Sequence, residues 1–119
     1  MKIGKDTGSL INWMLANPNY KEPKVGMGVT ECLWSDRHAW LIVEVDSDKK
    51  GFTMARMTPK IKGNYYEQNY IYEDENGNPL VNKNYICHVR YRYKAWRRDH
   101  GGKLHLSIGH AEEYEDPYF

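Results

Sequence analysis

Long apolar runs are missing from this 119-residue chain: the longest, Ala39–Val43, falls far short of the roughly 20 residues of a membrane-spanning helix. A helical membrane protein is therefore excluded. Cysteine is scarce. Cys32 and Cys87 are the only two, too few for a disulfide framework, so buried thiols are expected rather than a bridge. Net charge is nearly absent, since 17 basic and 16 acidic side chains leave +1, and overall electrostatics select no partner. Met1-Lys-Ile-Gly-Lys5 leads into no apolar segment of the kind a secretion signal carries, which points to a soluble intracellular protein. At this length one domain, 1–119, with a small core is expected.

Aromatics are abundant: 10 Tyr, 4 Trp and 2 Phe, enough with 10 Gly and 5 Pro to argue for an ordered fold. Ser9 caps an expected short N-terminal helix over 7–17, which ends at Asn17-Pro18. Alternating runs then take over. Val25, Met27, Val29 and Leu33 share one face of the first strand. In His38–Asp46, Ala39, Leu41, Val43 and Val45 alternate with Trp40, Ile42, Glu44 and Asp46. Asp48–Gly51 reads as a hairpin turn into Phe52–Met57, followed by an irregular stretch Thr58–Asn64. Tyr65–Tyr72 reads as a strand, and Glu73–Pro79 as a polar loop. Tyr85–Trp96 is the clearest strand, with Tyr85, Cys87, Val89, Tyr91, Tyr93 and Ala95 opposite His88, Arg90, Arg92 and Lys94. Asp99–Gly102 turns the chain into Lys103–Ile108. The expected fold is mainly β (α+β): an antiparallel, curled or barrel-like sheet over 25–108 with one short helix, then an acidic, aromatic tail at 109–119.

Catalytic patterns are poorly served. Ser35-Asp36-Arg37-His38 reads as a polar turn, because no nucleophile elbow accompanies it. His100, His105 and His110 are spaced by five, which suits neither one strand face nor one helix face, and they carry no metal motif. Gly26-Met-Gly28 lacks the strand–turn–helix context of a dinucleotide fingerprint; glycines on a strand more often admit a close backbone or ligand. The informative segment is Lys83–Arg98, which holds Lys83, Arg90, Arg92, Lys94, Arg97 and Arg98 and no acid before Asp99. Guanidinium groups grip phosphates and aromatic rings stack on bases, so a nucleotide, a single-stranded nucleic acid or an acidic protein would suit it. An exposed polar face over a tyrosine core would look the same.

Val25-Gly-Met-Gly-Val-Thr30, Trp34-Ser-Asp-Arg37 and Leu41-Ile-Val-Glu-Val45, with Leu106-Ser-Ile-Gly-His110 and Tyr114-Glu-Asp-Pro-Tyr-Phe119, carry a resemblance. Together they resemble the phage anti-Thoeris sponge family, which sequesters cyclic ADP-ribose signals made by a bacterial TIR-domain defence enzyme. The resemblance implies a non-enzymatic binder in the cytoplasm of an infected bacterium, free of cofactor and metal. It would be homo-oligomeric, a dimer or higher, and would hold a cyclic ADP-ribose-type signal or a cyclic oligonucleotide. By the same resemblance Arg37, Arg56 and His110 are ligand-binding residues and Tyr85 stands where a base-stacking aromatic belongs. Ala111 departs from the pattern, which has Arg after Gly-His. Loss of such a phosphate contact costs about 1.5–3 kcal/mol. Either Arg92 or Arg97 compensates, or the ligand differs from the family's. Arg92 accordingly joins the candidate ligand residues. The alternative is a small β-rich module for single-stranded nucleic acid or an acidic host protein.

Overall fold

The computed structural model describes residues 21–62, 69–99 and 101–115. The expected helix at 7–17, and part of the expected strand Tyr65–Tyr72, lie outside the described residues.

Three strands open the sheet: β1 (Gly28–Cys32), β2 (Arg37–Val45) and β3 (Gly51–Met57). A two-stranded ribbon, β4 (Lys60–Lys62) with β5 (Asn69–Ile71), interrupts the sequence, so Thr58–Asn64 is not wholly irregular. The chain returns through β6 (Val81–Arg92), β7 (Ala95–Arg98), β8 (Lys103–Leu104) and β9 (Leu106–Ile108). The larger sheet has seven strands in the order β8-β7-β6-β3-β2-β1-β9. Its pairings are all antiparallel. β8 and β9 occupy opposite edges, yet His105 alone separates them in sequence. The edges must therefore meet, and the sheet curls into a nearly closed barrel. The Cys32 amide donates to the His105 carbonyl at 2.8 Å, carrying the β1–β9 ladder up to this junction.

Inside sit Val29, Trp40, Ile42, Phe52, Met54, Val89, Tyr91, Trp96 and Ile108. The Phe52 and Trp96 rings meet edge-on at 4.9 Å, and Tyr91 and Trp96 at 5.2 Å. Such pairs add roughly 0.5–1.5 kcal/mol each beyond the area they bury.

Three local irregularities depart from the alternation read in the sequence. On β2 the register skips from Ile42↔Met54 to Glu44↔Thr53, leaving Val43 as a bulge. Parity reverses there, so Trp40 and Ile42 face inward before Val43 and Val45 after it; Ala39 and Leu41 are on the outer face. Tyr85–Trp96 is not one strand. Tyr93 and Lys94 have φ of 53° and 61°, and with Arg92 opposite Ala95 they form a two-residue hairpin turn between β6 and β7. Arg92, the last residue of β6, stays on the Arg90 face, while Lys94 lies in the turn and does not extend it. On β6, Ile86 pairs with Ala55 but Asn82 with Arg56, so Lys83-Asn84-Tyr85 bulges out of the ladder. The Asn84 amide donates to the Asn82 side chain at 3.0 Å, an Asx turn that holds the bulge. Both thiols are free, as expected, but neither is fully buried: Cys32 is exposed and Cys87 is half-buried against the core.

Residues 109–114 strap the outer face of β1 and β2. Gly109 N–H donates to the Gly28 carbonyl at 2.8 Å, Thr30 Oγ1 to the His110 carbonyl at 2.6 Å, and Arg37 and Tyr114 exchange backbone hydrogen bonds of 2.7 and 2.9 Å. Gly28 is what admits the strap: a Cβ there would stand 2.7 Å from the Ala111 amide nitrogen. Gly28→Ala should therefore destabilise the protein by about 1–3 kcal/mol in urea unfolding. It should also accelerate amide exchange in 109–114 while that of β3 stays slow; unchanged exchange in the strap would overturn this account.

Candidate functional site

Two of the three candidate arginines, Arg37 and Arg56, meet the strap. Arg56 Nη1 and Nη2 hold Glu113 Oε1 and Oε2 at 2.8 and 2.9 Å, and Nη1 also donates to the Ala39 and Met57 carbonyls. The Ala39 amide donates to Glu113 Oε1 at 2.9 Å, and the Glu113 amide donates to Tyr72 Oη at 2.8 Å. That second bond ties in the segment following β5. Burial, only partly offset by this bond, raises the Tyr72 hydroxyl pKa. Arg37 is more exposed and pairs with Glu112 at 2.9 Å. It lies in a shallow cleft with Trp34, which is 93% exposed, and Tyr114.

A second cleft, of about 350 Å³, opens at the end of the barrel beside the Arg56 side chain. Its polar wall is Glu31, His38, Arg56 and Arg98, and its apolar wall Leu33, Trp40 and Tyr85. Tyr85 reaches it because the β6 bulge throws the residue out of the ladder. Its ring is 5.7 Å from that of Trp40 while the residue stays 59% exposed. Glu31 forms the buried side, its side chain 7% exposed. Trp40 Nε1–H donates to Glu31 Oε1 at 3.1 Å, Arg98 Nη2 lies 3.7 Å from Oε2, and His38 Nδ1 lies 3.8 Å from Oε1. One small volume thus holds two aromatic rings, two guanidinium groups, an imidazole and a buried carboxylate. Rings stack on flat heterocycles, guanidinium groups take phosphates, and a carboxylate accepts from hydroxyl or amino groups.

Of the five candidate residues, Arg56 and Tyr85 share this cleft. Arg37 is one strand position from His38, in the neighbouring cleft that shares Leu33. His110 is exposed on the strap, held by its carbonyl bond to Thr30. Arg92 closes the β6–β7 hairpin and lines neither cleft. Glu31, His38 and Trp40 were not among the candidates. A carboxylate in register with Met27 and Val29 on an otherwise apolar strand face was the signal for Glu31.

The basic stretch Lys83–Arg98 is dispersed rather than assembled. Arg90 pairs with Asp46 at 2.7 Å and also with Asp48, which lowers the Asp48 pKa chiefly through that hydrogen bond. His88 bridges Asp99 at 2.7 Å and Asp46 at 3.0 Å. Burial works against the charged imidazole, but the two carboxylates outweigh it and raise its pKa. The Arg97 guanidinium lies 5.7 Å over the Tyr93 ring and donates to the Arg92 carbonyl. A wider cleft, of about 580 Å³, lies elsewhere, on the outer face between Val25, Leu41, Val43, Ala55 and Ile86. No protein-family model, no curated protein and no solved structure matches the chain.

The two strap arginines should separate on mutation. Arg56→Ala strips a largely buried carboxylate of its bidentate partner and should cost about 2–3 kcal/mol in chemical unfolding. Arg37→Ala removes an exposed pair and should cost less than about 1 kcal/mol. Equal losses would show that the strap is not anchored chiefly through Arg56.

Proposed function

We propose that this protein binds a small nucleotide of the cyclic signalling kind in the Trp40–Tyr85 cleft and sequesters it without cleaving it. The observation that carries the reading is the placing of two aromatic rings against Arg98, Arg56 and His38 around Glu31. A cleft of about 350 Å³ falls within the usual range for small-ligand sites, roughly 300–1,000 Å³. The dispersal of the basic stretch favours a small ligand over a nucleic-acid strand. Within it Arg90 holds Asp46 and Asp48 and Arg97 packs over the Tyr93 ring, which breaks up the basic track that single-stranded binders present to the backbone. The resemblance to the anti-Thoeris sponges points to the same class of ligand and to the cytoplasm of an infected bacterium as the setting. Sequestration alone would suffice there, since removal of free signal starves its effector by mass action.

We also propose that the chain is a homo-oligomer. Leu41, Ala55 and Ile86 stand side by side in register on the outer face, and Val25 (66% exposed) and Ile86 (58%) leave apolar surface beside them. Light scattering should give a mass above that of one chain, and Ile86→Glu should lower it; a single-chain mass for the wild type would overturn the proposal.

The ligand reading is tested by incubating the protein with cyclic ADP-ribose isomers and cyclic dinucleotides, removing unbound nucleotide and heating. Intact nucleotide should be released. An altered nucleotide would indicate an enzyme, and no retained nucleotide would overturn the reading. Stacking on an aromatic contributes about 1–3 kcal/mol per base, so Tyr85→Ala should weaken binding by roughly 5- to 150-fold and leave the free protein's melting temperature nearly unchanged.

A further inference from the structure

We propose that Glu31 is a specificity-determining residue: its carboxylate selects ligands that present two adjacent hydrogen-bond donors, as a ribose cis-diol or the N1–H and amino edge of guanine does. The inference rests on the nucleotide reading of the Trp40–Tyr85 cleft and adds what that cleft discriminates.

Burying a carboxylate is costly unless it is paired and hydrogen-bonded. Glu31 is nevertheless placed on the interior side of β1, in register with Val29, and its side chain is 7% exposed. Its neighbours compensate the charge without exhausting its capacity to accept. The indole N–H of Trp40 takes one site on Oε1 at 3.1 Å. Arg98 at 3.7 Å from Oε2 and His38 at 3.8 Å from Oε1 are within electrostatic reach but beyond hydrogen-bond length. An ionised carboxylate offers about four lone-pair positions across its two oxygens. The residue lines the cleft, so a ligand seated against Trp40 and Tyr85 is presented to it. The Trp40 bond fixes the carboxylate's orientation. Two parallel donors on a ligand are the complement of such a group, and a ligand lacking them would leave a buried acceptor unmet. That asymmetry is how a site built to hydrogen-bond rejects analogues.

The test uses isothermal titration of the wild type and of Glu31→Gln with GMP, IMP, AMP and 2′,3′-dideoxy-AMP. Glutamine keeps an acceptor for the Trp40 indole and replaces the other oxygen with a donor, which opposes a donor on the ligand. Wild type should bind the donor-pair nucleotides roughly tenfold or more tightly than their stripped analogues. Preference for GMP over IMP assigns the guanine edge; preference for AMP over dideoxy-AMP, with GMP equal to IMP, assigns the ribose diol. Glu31→Gln should erase whichever preference is found, read as the ratio of affinities within each pair. Wild-type affinities equal within both pairs would overturn the Glu31 role and leave the nucleotide cleft standing. Retention of the preference by Glu31→Gln would overturn it too. Absence of binding by every probe to the wild type, where cyclic nucleotides also fail to be retained, would overturn both readings. The wild-type comparison needs no variant, so a misfolded Glu31→Gln protein would not protect the proposal.

Discussion

Closure of the barrel across His105 is the constraint on which the rest of the structure depends. With one residue between β8 and β9, the two edges of a seven-strand sheet are forced together. An antiparallel sheet of this size would otherwise leave two unpaired edges and a one-sided core. Curling turns the inner faces toward one another and lets Trp96, Phe52 and Tyr91 pack around a common centre. It also creates the cleft, because Glu31 on β1 and Arg98 on β7 approach to 3.7 Å although two edge strands lie between them on that side of the sheet.

The strap is the second layer of organisation. Glu113 does for residues 109–114 what a neighbouring hydrogen-bonded strand would do for a sheet edge: it gives the segment fixed partners. Its two carboxylate oxygens are shared among the Arg56 guanidinium and the Ala39 amide. Arg56 thereby joins β3, β2 and the strap, and stands at the wall of the cleft at the same time. Stability and the proposed binding surface are coupled through that one side chain.

Much of the fold was legible from periodicity. The Phe52–Met57 run, the turn before it and the polar loop at Glu73–Pro79 were readable because alternation and turn chemistry agree there. Asp48 accepts from Lys50, and Asp74 from Asn76 and Asn78, as short acidic turn residues do. What stayed hidden was each place where the chain breaks its own rule. The Tyr93–Lys94 turn has positive φ without Gly, Asn or Asp, and the bulges at Val43 and Lys83–Tyr85 are set by tertiary register. Neither leaves a compositional mark. The site was half visible for the same reason. Basic and aromatic residues announce themselves in sequence, whereas Glu31 acquires its meaning only when curling buries it beside Trp40.

The strand that begins the barrel is completed by one that comes much later. The Thr30–His110 hydrogen bond joins residues 80 apart in sequence, so a long loop must close before β1 gains its outer partner. Pairings of such separation form late and make folding slow. Until then β1 offers an open edge to any other extended chain, which is the hazard of an unfinished sheet. A charged residue pointing inward is one of the devices by which natural edges discourage foreign pairing, because a misplaced partner would have to bury that charge without compensation. Glu31 occupies such a position on β1, and its compensating neighbour Arg98 arrives only as the barrel closes. A carboxylate that lines the proposed binding cleft in the finished protein is therefore also placed to guard the unfinished one.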